Sequence, residues 1–151
     1  MAKHYDADIK KTSLKMKLKE KCSLLSGADF WHTKTIDRLG IPNIMVSDGP
    51  HGLRKQDVES PTASINDSIK AVCFPAACAS TCSFDRSVLK LLGETLGDEC
   101  QAQDVSVVLG PAVNIKRSPL CGRNFEYMSE DPYLAGELAA SDIQGVQSKH
   151  V

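Results

Sequence analysis

Two stretches of the chain concentrate side chains that can do chemistry. The first is Ser47-Asp48-Gly49-Pro50-His51-Gly52-Leu53-Arg54; the second runs from Asn114 to Pro132 and holds Lys116, Arg117, Arg123, Glu126, Glu130 and Asp131. Asp48 follows an apolar run and precedes Gly49-Pro50, so the chain turns sharply just after a carboxylate. Glycine permits unusual dihedrals there and proline fixes one. A carboxylate so placed can accept two hydrogen bonds from neighbouring hydroxyls of a sugar. It can equally cap its own loop through an Asx turn. Arg54 either reaches the same ligand or pairs with Asp48. In the second stretch, Glu126 stands three residues after Arg123 and can hold its guanidinium flat, leaving donors for a ligand. The same pair would also make a structural salt bridge. Glu130 and Asp131 fall at the start of a helix, where the dipole favours negative charge, and read as helix caps.

The rest of the chain narrows the chemistry by exclusion. There is no Gly-x-Ser-x-Gly elbow, no phosphate loop and no Gly-x-Gly-x-x-Gly, so neither a serine nucleophile nor a nucleotide cofactor is expected. Cys73, Cys78 and Cys82 fit none of the common zinc spacings, and His4, His32, His51 and His150 are scattered, so no metal site is expected. Lys149-His150 sits at a helix end, where surface roles dominate. With 18 basic and 19 acidic residues and a net charge of −1, nothing suggests a nucleic-acid or anionic-membrane partner. The lysines at 10, 11, 15, 17, 19 and 21 read as a solvated helix face. No apolar run has the length of a membrane span, and the first residues lack the apolar core of a signal peptide. A cytoplasmic location is therefore expected, with the six cysteines as free thiols, several of them small buried residues.

These loops need elements to hold them. The spacing predicts a helix over Ser13–Ser26 with Leu14, Leu18, Cys22 and Leu25 on one face and Gly27 as its cap. A strand is expected over Ile41–Val46, a surface loop over Glu59–Lys70, and a buried strand of small residues over Ala76–Thr81. A helix follows over Asp85–Gln103, with Val88, Leu92, Leu96 and Cys100 in line, and then a buried parallel strand over Val105–Leu109. Asp131 as N-cap and Pro132 at N1 open a last helix over Tyr133–Gln147. Strand and helix alternating in short order predict an α/β fold with a parallel sheet. A doubly wound sheet and a (β/α)8 barrel both fit that alternation. A complete barrel needs roughly 250 residues and these 151 supply about three of its eight units, so the chain is either a small open sheet or the opening part of something larger.

In order and spacing, Ala28-Asp29-Phe30-Trp31-His32, Ser47–Arg54, Phe74-Pro75, Leu109-Gly110-Pro111, Asn114–Pro132 and Gly145-Val146-Gln147-Ser148 resemble the amino-terminal domain of family 3 glycoside hydrolases, the β-glucosidase group. The run Lys-Arg-Ser-Pro-Leu-Cys-Gly-Arg-Asn-Phe-Glu-Tyr-Met-Ser-Glu-Asp-Pro is the most specific part. The resemblance implies a (β/α)8 TIM-type barrel followed by an α/β sandwich domain. It implies retaining hydrolysis of β-linked glucose or related sugars by a carboxylate nucleophile and a carboxylic acid/base. It also implies that Asp48 and Arg123 hold sugar hydroxyls in the −1 subsite, and that Arg54 lines that site. The family's nucleophile lies in a later Ser-Asp-Trp-type motif and its acid/base in the second domain; neither motif occurs here. The family's sugar-contacting Lys-His pair begins a later strand, so Lys149-His150 is not that pair. The first helix departs too, with Lys15 and Lys17 where acidic residues are usual.

Residues 1–151 are thus expected to be an incomplete barrel domain, carrying part of a −1 subsite but no catalytic carboxylate. Its expected partners are a β-linked sugar, the missing remainder of the barrel and a second α/β domain. The rival reading is a non-catalytic sugar-binding or regulatory module derived from the same barrel, which should bury its own sheet edges.

Overall fold

The structure, a computed structural model, describes residues 2–59, 64 and 66–151. The chain divides into two compact units, Met1–Met45 and Val46–Val151.

The first unit holds helices α1 (Ala2–Lys15) and α2 (Leu18–Ser23) and the 3-10 turn Asp37–Leu39. The one helix expected over Ser13–Ser26 is broken between them, and Gly27 caps neither part. Lys17 is extended at the break (φ −71°, ψ 155°). The broken backbone finds other partners: Glu20 accepts the Lys17 amide at 2.7 Å, and Arg38 donates to the Lys15 carbonyl at 3.0 Å and to Glu20 at 2.8 Å. The Arg38 hydrogen bond, helped by the Lys17 amide, lowers the Glu20 carboxyl to about 2. A tertiary arginine thus outcompetes helix continuity, and the expected apolar face is lost: Leu14, Leu18 and Leu25 are exposed. The lysines from 10 to 21 are exposed as expected.

The second unit is built on two short parallel strands, β1 (Val46–Asp48) and β2 (Val107–Leu109), in register Val46↔Val107, Ser47↔Val108 and Asp48↔Leu109. Strand pairing therefore starts where the expected Ile41–Val46 strand ends, and β2 is the last part of the expected Val105–Leu109. Two paired strands, rather than three βα units, are present among the described residues. Ala76–Thr81 is not a strand. It forms helix α3 (Ala77–Ser80) and the 3-10 turn Thr81–Ser83. Its alanines are strong helix formers and Thr81 alone is β-branched, so small size misleads where propensity does not. The Glu59–Lys70 loop lies partly outside the described residues.

Helices α4 (Arg86–Ala102) and α5 (Pro132–Ser148) pack along each other and match expectation within a residue or two. Each begins on an aspartate cap: Asp85 accepts the Ser87 amide, and Asp131 accepts the amides of Tyr133 and Leu134 with Pro132 at N1. The buried face of α4 is Leu89, Gly93, Leu96, Gly97 and Cys100. Leu96 and Cys100 of the expected stripe are on it, but in the first half of the helix it turns one residue round, to Leu89 and Gly93, and Val88 is exposed. The reason is the partner. A Cβ at Gly93 would lie 2.1 Å from the Asp142 carbonyl, and one at Gly145 would lie 2.3 Å from the Lys90 carbonyl. Backbone therefore meets backbone along this seam. Ala77, Leu89, Met128, Ala135, Leu138 and Ala139 form the core beside it. Burying a leucine such as Leu138 contributes roughly 1.5–3 kcal/mol. Of the six thiols only Cys100 is buried, where desolvation pushes its pKa up to about 11. The other five are exposed or half-buried, so small buried cysteines are fewer than expected. Among the described residues no helix is long and apolar enough to cross a membrane.

Beside β2 runs a groove of about 270 Å³, lined by Val107, Val108, Ile143, Val146 and Val151 among others. Val107 and Leu109 are 41% and 52% exposed on this strand.

Candidate functional site

Parallel strands send their following loops to one end of the sheet, and β1 and β2 put both charged loops at their carboxyl ends. Asp48 is the last residue of β1 and pairs in register with Leu109, the last of β2. The chain doubles back after Asp48 so that the Arg54 amide donates to the Asp48 carbonyl at 2.8 Å. Gly52 makes this turn possible: its φ is +126°, and a Cβ would fall 2.0 Å from the Val72 carbonyl.

This fold-back brings the two candidate residues of the first loop together. Arg54 Nη1 stands 3.5 Å from Asp48 Oδ2, with the side chains 50% and 40% exposed. Its Nη2 also donates to Asn66 Oδ1 at 3.4 Å. Of the two roles open to Arg54, pairing is the one the geometry contains. The Asp48 carboxylate takes a guanidinium at long range and keeps surface open, so it remains able to accept from a ligand.

The second loop leaves β2 through Gly110-Pro111, where a Cβ at Gly110 would lie 3.0 Å from Pro50 Cα. The two loops are therefore in contact at their roots. Further along, Arg123 Nε donates to Glu126 Oε1. Glu126 is nearly covered (11% exposed) while Arg123 is 70% exposed. Glu126 holds the guanidinium charged, raising its pKa, and leaves its outer nitrogens to solvent. The salt bridge expected between these two residues is formed, but it is buried on the carboxylate side only and leaves an outward head. Asp131 caps α5 as expected; no cap hydrogen bond involves Glu130 among the described residues. Between Arg117 and Tyr127 lies an open cavity of about 540 Å³, also lined by Asn114, Cys121 and Asn124.

Sequence reasoning missed one side chain that ties these loops together. His51 Nε2 accepts the Ala77 amide at 3.0 Å, and its ring stands 6.1 Å from that of Phe125. The only local signal was that Ala76, which precedes α3, has no side chain able to cap it. Among the described residues no three histidine, cysteine or acidic side chains gather as metal ligands. Lys149 pairs with Asp98 at 2.8 Å at the end of α5, a surface contact in keeping with its expected role.

A family model described as the glycosyl hydrolase family 3 N-terminal domain matches residues 28–151. The chain is 62% identical over 144 residues to the thermostable β-glucosidase B of Acetivibrio thermocellus, covering 95% of this chain and 19% of that protein. It is 50% identical over 135 residues to an exo-α-(1→6)-L-arabinopyranosidase of Bifidobacterium longum, covering 89% of this chain and 18% of that protein. In structure it is similar to the Kluyveromyces marxianus β-glucosidase solved in complex with glucose, with a TM-score of 0.81 and 43% identity over 92% of this chain and 16% of that one. The chain thus spans less than a fifth of the length of each of these relatives.

Proposed function

The chain belongs to glycosyl hydrolase family 3, within its N-terminal domain, and from that premise we propose that its residues supply part of the −1 sugar subsite of a retaining β-glucosidase. The observation that carries the proposal is the pair of charged loops at the carboxyl ends of β1 and β2. They offer Asp48 as an acceptor and Arg123 as a donor, each held by a partner and each open to solvent. A sugar hydroxyl both donates and accepts, so one fixed group of each kind can read a pair of neighbouring hydroxyls. Arg54 tempers the charge of Asp48 and lines the same loop.

The glycosidic bond itself needs two carboxylates about 5–5.5 Å apart in a retaining enzyme, one attacking and one passing a proton to the leaving oxygen and later taking one from water. Three carboxylates of this chain have other work: Glu126 tethers Arg123, and Asp131 and Asp85 cap helices. The nucleophile and the acid/base are therefore assigned to the remainder of the barrel and to a second α/β domain. The short span relative to the β-glucosidase relatives supports this, as do the exposed Val107 and Leu109 beside an apolar groove. An open sheet edge counts against a self-contained binding module. The glucose-bound relative supports glucose as ligand, and the arabinopyranosidase supports a wider class of related sugars. Six unpaired thiols are in keeping with a reducing, cytoplasmic setting.

The test is stereochemical. The full-length enzyme carrying this chain should hydrolyse an aryl β-glucoside and release the β-anomer first, as followed by proton NMR, while the isolated 151 residues should turn over nothing. The α-anomer appearing first, or steady turnover by the isolated chain, would overturn the assignment.

A further inference from the structure

α3 is a helix of only four residues, and its N-terminus lacks a local cap because Ala76 carries no acceptor. A helix leaves its first amides without internal partners. Here both leading amides are taken from elsewhere in the fold. The Ala77 amide donates to His51 Nε2 at 3.0 Å, and the Cys78 amide donates to the Phe125 carbonyl at 3.2 Å. His51 lies three residues after Asp48, and Phe125 lies two after Arg123. One short helix end therefore holds the loop of each proposed sugar-binding residue.

Other contacts make the bracket rigid. The His51 carbonyl accepts the Phe74 amide at 2.9 Å, so both the backbone and the ring of His51 are fixed to the segment leading into α3. The His51 and Phe125 rings lie tilted at 58° with centroids 6.1 Å apart, touching directly across the two loops. The hydroxyl of Thr81, buried at the end of the same turn, lies 2.7 Å from the Ala77 carbonyl and 2.9 Å from the Met128 carbonyl. It shares its one proton between them, bringing the far side of the second loop against α3. Ala77 itself is buried in the core, so the bracket is seated on the packed part of the molecule.

The ring chemistry is specific. A backbone amide can only donate, so Nε2 must offer its lone pair and the ring proton must sit on Nδ1. We propose that His51 is a positioning residue, an imidazole cap on α3 that sets the Asp48 loop against the Arg123 loop. It touches no sugar in this scheme and acts through the loops it holds. The inference rests on the reading of Asp48 and Arg123 as sugar ligands. Displacing a binding group by about 1 Å can cost on the order of a hundredfold in rate, so a bracket of this kind would be felt in catalysis.

The experiment compares His51→Leu, His51→Gln and Asp48→Ala in the full-length enzyme carrying this chain, with rates normalised to titrated active sites. His51→Leu removes the acceptor, and His51→Gln places an amide oxygen near the position of Nε2. His51→Leu should raise KM for an aryl β-glucoside and the inhibition constant for glucose by about tenfold or more, while His51→Gln stays within about threefold of wild type. Wild-type constants for His51→Leu, or equal loss in both variants, would overturn the proposal. Impaired Asp48→Ala beside normal His51→Leu would remove this inference alone. Normal Asp48→Ala would remove the sugar-site reading, and with it anything for His51 to position. Should His51→Leu fail to fold, the ring ¹⁵N shifts of the wild-type protein decide: a proton on Nδ1 supports the cap, and a proton on Nε2 overturns it.

Discussion

The loops after β1 and β2 each carry an arginine and a carboxylate, with the roles inside the two pairs reversed. After β1 the carboxylate, Asp48, sits on the strand end, and Arg54 approaches it loosely at 3.5 Å with both side chains about half exposed. After β2 the carboxylate, Glu126, is sunk into the fold, and it is Arg123 that stands out. One loop presents an acceptor steadied by a cation, the other a donor steadied by an anion. The difference shows how a small surface can offer both hydrogen-bonding senses without leaving a charge unpaired. It also shows where rigidity lies: in the second pair the tether is buried, and in the first both members remain in solvent contact.

The largest expected effect tests the acceptor. Asp48→Ala in the full-length enzyme should lower kcat/KM for an aryl β-glucoside by the equivalent of about 3–5 kcal/mol, the scale for losing a desolvated charged contact. The thermal midpoint should barely move, because the residue lies at a loop edge outside the core. Undiminished turnover would leave the first loop without its proposed role. Arg123→Lys comes next and tests the donor. It keeps the charge but loses the fork, so its loss should approach that of Arg123→Ala. Near-normal kinetics with lysine would reduce Arg123 to a source of positive charge.

A third carboxylate contrasts with both pairs because one of its oxygens is buried without a hydrogen-bond partner among the described residues. Asp142 is 4% exposed on α5, its Oδ1 has no hydrogen-bond partner among the described residues, and burial raises its pKa to about 6. The folded state therefore holds the proton more tightly than the unfolded chain. That contribution is fully present below about pH 4 and is lost as pH rises through about 6. Asp142→Asn should abolish this decline and stabilise the protein at pH 7 by on the order of 2 kcal/mol, read from denaturant midpoints at pH 4 and 7. An unchanged pH profile would mean that Asp142 has a charged partner in the intact enzyme. The smallest contrast lies between the two tethers. Glu126→Gln should raise KM by the equivalent of about 1–2 kcal/mol, whereas Arg54→Gln should change it by about 0.5 kcal/mol, the scale of an exposed pair. Equal losses in the two variants would erase the distinction between a buried tether and a solvated one.

Much of this was legible in the sequence where the determining interactions are local. Asp85 and Asp131 cap helices from adjacent positions, and α4 and α5 follow from their periodicity and those caps. The two charged loops were legible for a different reason, as dense motifs that resemble a family. What stayed hidden depends on distant partners. Arg38 splits the first helix from eighteen residues beyond Glu20, and His51 caps a helix twenty-six residues away. The rotation of the buried face of α4 answers to the backbone of α5. No window of neighbouring residues contains that information.

The glycine seam between α4 and α5 carries a consequence for how this region can vary. On a solvated helix, replacing glycine by alanine gains roughly 0.5–1 kcal/mol, so mutation ordinarily drifts away from glycine. At Gly93 and Gly145 even a methyl group would run into a carbonyl of the other helix. These two positions are closed to all nineteen other side chains unless the helices separate. Helical propensity favours a substitution that the partner backbone forbids, so the two helices must vary as a matched pair. A chimera that took α4 from one relative and α5 from another would succeed or fail at this seam, before either charged loop came into play.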